Sequence, residues 1–319
     1  MLNMPEVRIG WDQSIEFFSP DSDWGGWISE LNVEPKLSFE TEKLIANPIK
    51  LPYQDEYRLL FLVRNAWKLA HDLRVIFLLD FRQISIVTSD GTLPYLDFPA
   101  METQEDRAVE FLLKDLPQGF HQISIILIAD PNSTSQDSTY RLLQQKSFFE
   151  ARYDLWIGEA AMPSGIFAIE ETTLGQSAAS RISEIELIGI DNNMDDPLIF
   201  IETASNDNIQ LGLKLSNCGI ECRKDSDINK LYDGPVPMRF LVFIDDNLLW
   251  VAEYSLLANA PDNLTLNLSI DAPTTVGDHT LNILGVTFPG SSQFSMIQLE
   301  RLIYPQGIFS RRVLLYTQK

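Results

Sequence analysis

Basic residues are scarce in this chain. Lys and Arg number 24 against 45 Asp and Glu, a formal net charge of −21. A surface this acidic repels phosphate backbones and anionic bilayers, which argues against sequence-independent nucleic-acid binding and electrostatic membrane docking. It leaves a solvated acidic exterior or a docking face for a basic partner. Long apolar runs are missing too, and none approaches the ~20 residues a membrane-spanning helix needs. The start, Met1-Leu2-Asn3-Met4-Pro5-Glu6-Val7, lacks the basic-then-apolar order of a secretory signal, so a cytoplasmic location is the expectation. Cysteine is limited to Cys218 and Cys222. Two thiols alone cannot complete a four-ligand zinc site. Free thiols, a local disulfide in an oxidising compartment, or a share in a metal site completed elsewhere all stay open.

The motifs of common catalysis are also lacking. There is no Gly-x-Ser-x-Gly elbow, no His-Glu-x-x-His helix, no phosphate loop and no dinucleotide fingerprint. Only three histidines occur, His71, His121 and His279. Adjacent carboxylates such as Glu170-Glu171, Asp195-Asp196 and Asp245-Asp246 arise by chance in so acidic a chain. A glycosidase needs two carboxylates at a set separation across a cleft, which spacing along the chain does not specify.

What is present is alternation with period two, the mark of half-buried strands. Leu264, Leu266, Leu268 and Ile270 alternate with Thr265, Asn267 and Ser269. Turn signals separate the runs: Ser89-Asp90-Gly91, Asp130-Pro131-Asn132, Asp233-Gly234-Pro235 and Pro289-Gly290-Ser291. Helical patterning is scarce. Thr103-Gln104-Glu105-Asp106 offers a helix cap, yet a strand from about Val109 fits better, and helical turns are expected within 138–146 and 295–302.

The chain also repeats itself. Gly119-Phe120-His121-Gln122-Ile123 is matched almost half a chain later by Gly277-Asp278-His279-Thr280-Leu281. Leu59 to Asn65 matches Leu211 to Asn217, Val75 to Asp80 matches Phe240 to Asp245, and Phe149 to Trp156 matches Phe309 to Tyr316. The order of the matched segments is kept. A period of half the chain describes two copies of a domain, not a solenoid of short units. The expected architecture is therefore all-β: two similar β-sandwich domains in tandem, at 1–158 and 159–319, from an internal duplication, closely packed because the join is short.

Candidate site residues are few. Asp23-Trp24-Gly25-Gly26-Trp27 offers Trp24 and Trp27 as a platform for a sugar ring or an apolar side chain, against the alternative that they fold onto the first core. Asp225, Asp227 and Asn229 place oxygens at alternate positions, like the start of a calcium loop, but Lys230 stands where the turn glycine belongs. Calcium is the one cofactor weighed. His121 and His279 are matched by the repeat. As a catalytic pair they would need the domains to face each other, and capping of local backbone is the preferred reading.

Asn65 and Asn217 end one strand in each copy, Asp80 and Asp245 another, and Gly119 and Gly277 open a third. In these positions the chain resembles tandem bacterial immunoglobulin-like sandwiches of the cell-adhesion type. The usual glycine after the strand-ending Asn is present as Gly219 and replaced by Ala66 in the first copy. The resemblance implies an interaction or structural role. The functional expectation is a non-catalytic adaptor or structural protein with a protein partner. The alternatives are glycan binding through Trp24 and Trp27, and an enzyme with its site between the domains.

Overall fold

The computed structural model describes residues 27–33, 49–66, 69–89, 91–132, 148–159, 182–189, 198, 200–217, 236–256, 263–287, 307–309 and 312–319. These residues are all β and contain no helix. The first sheet runs β1 (Trp27–Val33), β3 (Glu56–Asn65), β9 (Asp106–Lys114), β6 (Ile86–Thr88), β7 (Gly91–Leu93). The second runs β2 (Ile49–Leu51), β11 (Phe148–Ile157), β10 (Gly119–Ala129), β4 (His71–Leu79), β5 (Arg82–Gln83), with β8 (Leu96–Met101) also on β4. The third holds β12 (Ile182–Gly189), β14 (Asn208–Asn217) and β17 (Asn263–Asp271). The fourth runs β13 (Phe200–Ala204), β20 (Val313–Gln318), β18 (Gly277–Thr287), β15 (Val236–Ile244), β16 (Asn247–Leu256), with β19 (Gly307–Phe309) on β18. Pairing is antiparallel except at β2–β11 and β13–β20.

The first and second sheets close on one core. Phe61 and Phe111 from one face and Phe77, Ile123 and Leu155 from the other are buried together. Phe77 meets Phe61 edge-on, with centroids 5.4 Å apart, the arrangement ring quadrupoles favour. The third and fourth sheets enclose a second core of Ile185, Leu213, Phe240, Ile283 and Leu315. Gly285 lets them approach: a Cβ there would lie 2.4 Å from Ile185 Cδ1. Period-two patterning thus closes two sandwiches, each filled from both sheets.

The middle strands break the alternation. Val75-Ile76-Phe77-Leu78 and Ile123 to Ala129 are buried at every position. The reason is a third core. Ile76, Leu78, Phe81, Ile126 and Ile128 of the second sheet pack against Leu241, Phe243, Leu284 and Val286 of the fourth. The layer order is first, second, fourth, third, with the inner two sheets covered on both sides. Strands buried on both faces read as continuous apolar runs, and full burial of each such side chain contributes about 1.5–3 kcal/mol.

The strand expected from about Val109 is β9, so the cap at Thr103 starts no helix. The helical turns expected within 138–146 and 295–302 lie outside the described residues. Among the described residues, no helix is long and apolar enough to cross a membrane.

Candidate functional site

All three histidines do the same structural job. Asp80 ends β4 in the left-handed region, φ 50°. Its amide donates to Gln122 O at 2.9 Å, its Oδ1 accepts from Gln122 N at 2.9 Å, and its Oδ2 meets His121 Nδ1 at 2.8 Å. Asp245 repeats this at the end of β15 with φ 48°. It donates to Thr280 O at 2.9 Å, accepts from Thr280 N at 3.0 Å and meets His279 Nδ1 at 2.6 Å. Asp130 repeats it at the far end of β10, with Asp72 as the backbone partner and His71 Nδ1 at 2.8 Å. Each clamp ties the end of one strand to the start of its antiparallel neighbour.

The chemistry of the clamp favours the protonated form of two rings. His121 Nε2 lies 2.9 Å from Pro117 O and His279 Nε2 lies 3.0 Å from Thr275 O. A carboxylate and a carbonyl only accept, so the His121 ring between them donates from both nitrogens as an imidazolium; His279 Nε2 also lies 3.3 Å from the Thr275 hydroxyl, which can itself donate. The bond to Asp80 raises the His121 pKa; burial opposes it and the Pro117 carbonyl adds to it. Burial lowers that of His279, but the Asp245 bond and the Thr275 carbonyl outweigh it, and the net shift is upward. Rings so engaged hold their protons for the fold. His121 and His279 sit in different sheets, each with a carboxylate of its own sheet.

The seam between the inner sheets carries the buried charge. β4 turns into β5 through Asp80-Phe81, and β15 turns into β16 through Asp245-Asp246. Both residues of each turn have positive φ, Phe81 at 61° and Asp246 at 60°. Two-residue hairpins of this hand usually take Asn-Gly or Asp-Gly, so a phenylalanine and a second aspartate here are held in strained backbone by what they touch. Asp246 is 2% exposed. It accepts from Arg74 Nη1 at 3.0 Å across the seam and from Arg312 Nη2. Arg312 also donates to Pro131 O on the other side of the seam. Arg74 spends its remaining nitrogens on Asp97, at 2.7 and 2.9 Å. The carboxylates raise its pKa even though burial is the largest single influence and lowers it. At the matching place on the other side, the Arg239 guanidinium lies 4.5 Å from the centroid of the Phe81 ring. Gln83 completes the seam by accepting from Leu248 N at 2.6 Å.

Trp27 opens β1 with Asn65 opposite it in register; Trp24 and the Trp27 side chain lie outside the described residues. So do Asp225, Asp227, Asn229, Cys218 and Cys222, and the acidic pairs at 170–171 and 195–196. Among the described residues, no group of three or more His, Cys, Asp and Glu could hold a metal ion. The pair Asp245-Asp246 is split between two tasks, a histidine clamp and an arginine lock. Sequence reasoning passed over Arg74 and Arg239. The signal was there: each is a lone cation inside an apolar strand, in Leu73-Arg74-Val75 and Met238-Arg239-Phe240.

No family model matches the chain and no curated relative matches it. Among solved structures, it is similar over 42% of its length to 93% of a CARDB domain from Pyrococcus furiosus crystallised with di-metal ions, at 13% identity and TM-score 0.24. It is similar over 44% to 17% of a β-glucosidase from Listeria innocua in complex with isofagomine, at 10% identity and TM-score 0.23. It is similar over 44% to the whole of one chain of the complex of zinc 2-glycoprotein and prolactin inducible protein from human seminal plasma, at 7% identity and TM-score 0.25.

Proposed function

We propose that this chain is a non-catalytic interaction or structural protein, built from two sandwiches that descend from a duplicated domain and are locked back to back. The locking carries the reading. The third core, the Arg74–Asp246–Arg312 group and the Gln83 bond consume the inner sheet faces. The protein is then a stiff frame that presents its outer sheets, strand edges and loop ends to a partner. The histidines give this support, since His121 and His279 are committed to strand clamps and are not poised to exchange protons with a substrate. Matching strand orders support the duplication: β1-β3-β9 parallels β12-β14-β17, and β2-β11-β10-β4 parallels β13-β20-β18-β15.

The test is affinity purification of the tagged full chain from its native cells after mild crosslinking, with quantitative mass spectrometry. A stoichiometric protein partner, reconstituted from purified components, is the expected result. Its absence, with turnover of a substrate by the purified chain, would end the interaction reading.

A further inference from the structure

One end of the first sandwich carries a cleft of about 540 Å³, lined by Leu51, Pro52, Tyr53, Gln118, Trp156 and Glu159 over the backbone of Gly158. That size lies within the range of ligand pockets. Its shape is set by buried groups. The buried Tyr57 donates to Pro52 O at 2.9 Å and accepts from Gln54 N at 3.2 Å, which pins the segment carrying Tyr53. Gly158 N donates to Leu51 O at 2.9 Å. Gly158 has φ 72°, and a Cβ there would lie 3.0 Å from Gln118 Oε1. Tyr53 is nevertheless 55% exposed. A large aromatic side chain on a backbone segment fixed at both flanks yet left open to water contributes little to the core and is suited to a partner.

The fold itself does not demand these residues. In the second half the register that pairs Leu51 with Ile157 pairs Thr203 with Thr317. Two residues further on, where the first half has Tyr53, stands Ser205, and Val276 precedes Gly277 where Gln118 precedes Gly119. Tyr316 stands where the first half has Trp156, so what the first half adds is Tyr53 and Gln118 beside a shared aromatic position.

Resting on the interaction reading above, we propose that this cleft binds a basic, proline-rich segment of a partner protein in the polyproline II conformation. Two aromatic side chains and a proline are the flat, apolar surfaces against which proline rings pack, and an extended segment of this kind loses little entropy on docking. A polyproline II backbone leaves its carbonyls unpaired, and Gln118 brings to the lining an amide of the kind that can donate to one. Charge selects the flanking residue. Glu159 is in the wall, and the same end carries Asp55, Glu56 and Asp115, with Asp115 N donating to Asp55 O at 3.0 Å. Lys114 pairs with Glu56 at 3.6 Å. A chain of net charge −21 attracts a cationic segment and repels an acidic one, and Glu159 in the wall places a carboxylate at the cleft itself.

The probe is a fluorescein-labelled decapeptide of two arginines followed by eight prolines, titrated with the full chain and read by fluorescence anisotropy. Saturable binding is expected. Tyr53→Ala should weaken it about tenfold or more, the loss of one anchor contact. Glu159→Gln or a rise in salt should weaken it severalfold. Both variants should melt within about 1 °C of the parent, because the altered side chains are at the surface. Undiminished binding by Tyr53→Ala, or equal binding of a peptide with two glutamates in place of the arginines, would overturn the proposal. So would quenching of tryptophan emission by cellohexaose that is lost in Trp156→Phe, which would make this a glycan site. The two readings fail separately. If native partner capture is the same for the parent and Tyr53→Ala, the cleft proposal falls and the interaction reading stands; if the parent captures nothing, both fall.

Discussion

Replacing Asp246 by Asn tests the lock between the sandwiches. The carboxylate is 2% exposed, and the Arg74 and Arg312 side chains that reach it are 9% and 6% exposed. Asn keeps the volume and tolerates the φ of 60°. It removes the charge, and its one oxygen accepts from a single guanidinium. Arg74 keeps Asp97, which is 47% exposed, while Arg312 is left with the Pro131 carbonyl. Breaking a buried pair costs roughly 3–5 kcal/mol, because a desolvated charge stays behind. With one bond retained, the lower figure of about 3 kcal/mol applies. At roughly 2–4 °C per kcal/mol for a chain of this order of size, the melting temperature should fall by about 6–12 °C. Calorimetry should also show the parent's main transition broadening or splitting as the halves uncouple. The deficit should persist in 1 M salt, where exposed pairs such as Arg58–Glu110 are screened and buried ones are not. A fall under about 1 °C, or one that vanishes in salt, would refute the reasoning.

The histidine clamps predict a pH dependence. His121 and His279 have folded pKa values above their ordinary value, so the folded state holds protons that the unfolded chain releases. Their contribution is complete below about pH 6.5 and drains as pH rises through the raised values. The melting temperature should drop as pH rises above about 6.5, less steeply in the double variant His121→Gln, His279→Gln; a flat parent profile would count against the raised histidine values. Asn65 is fully buried and its amide donates to Leu69 O at 2.9 Å and Met101 O at 2.8 Å. Asn65→Ala should cost about 1–3 kcal/mol by urea unfolding, since it strands the buried Met101 carbonyl while the part-buried Leu69 carbonyl can turn to water, and a loss under 1 kcal/mol would show that water replaces the amide at both. Leu284→Ala in the seam should cost about 2–5 kcal/mol and broaden the melt as Asp246→Asn does. A loss of that size with the transition left sharp would place the seam outside the cooperative link between halves.

Much of the fold was written in local pattern. Alternation at Leu264 to Ile270 and turn residues such as Asp80 and Gly119 mark strands and their ends, because side-chain direction in a strand has period two and left-handed turns favour a few residue types. The matched segments lie on strands that hold corresponding places in the sheets, β3 with β14, β4 with β15 and β10 with β18. The histidine clamps were half legible. His121, His279, Asp80 and Asp245 stood out singly, but their contact joins residues some forty positions apart, and only strand pairing brings them together. Arg74 and Asp246 were harder still. The arginine inside an apolar run stands out singly and the aspartate beside another aspartate does not, and their meeting depends on how one whole sheet lies on another.

By itself, the sequence determined the chain's all-β character, the places where its strands end and its strongly acidic charge, because each follows from near neighbours and composition. The tertiary structure alone decided that the inner sheets share a third core, that a buried carboxylate from one half anchors an arginine from the other, and that Tyr53, Gln118 and Trp156 wall one cleft. Those outcomes depend on side chains distant in sequence meeting in space, where burial turns a weak surface charge into a lock.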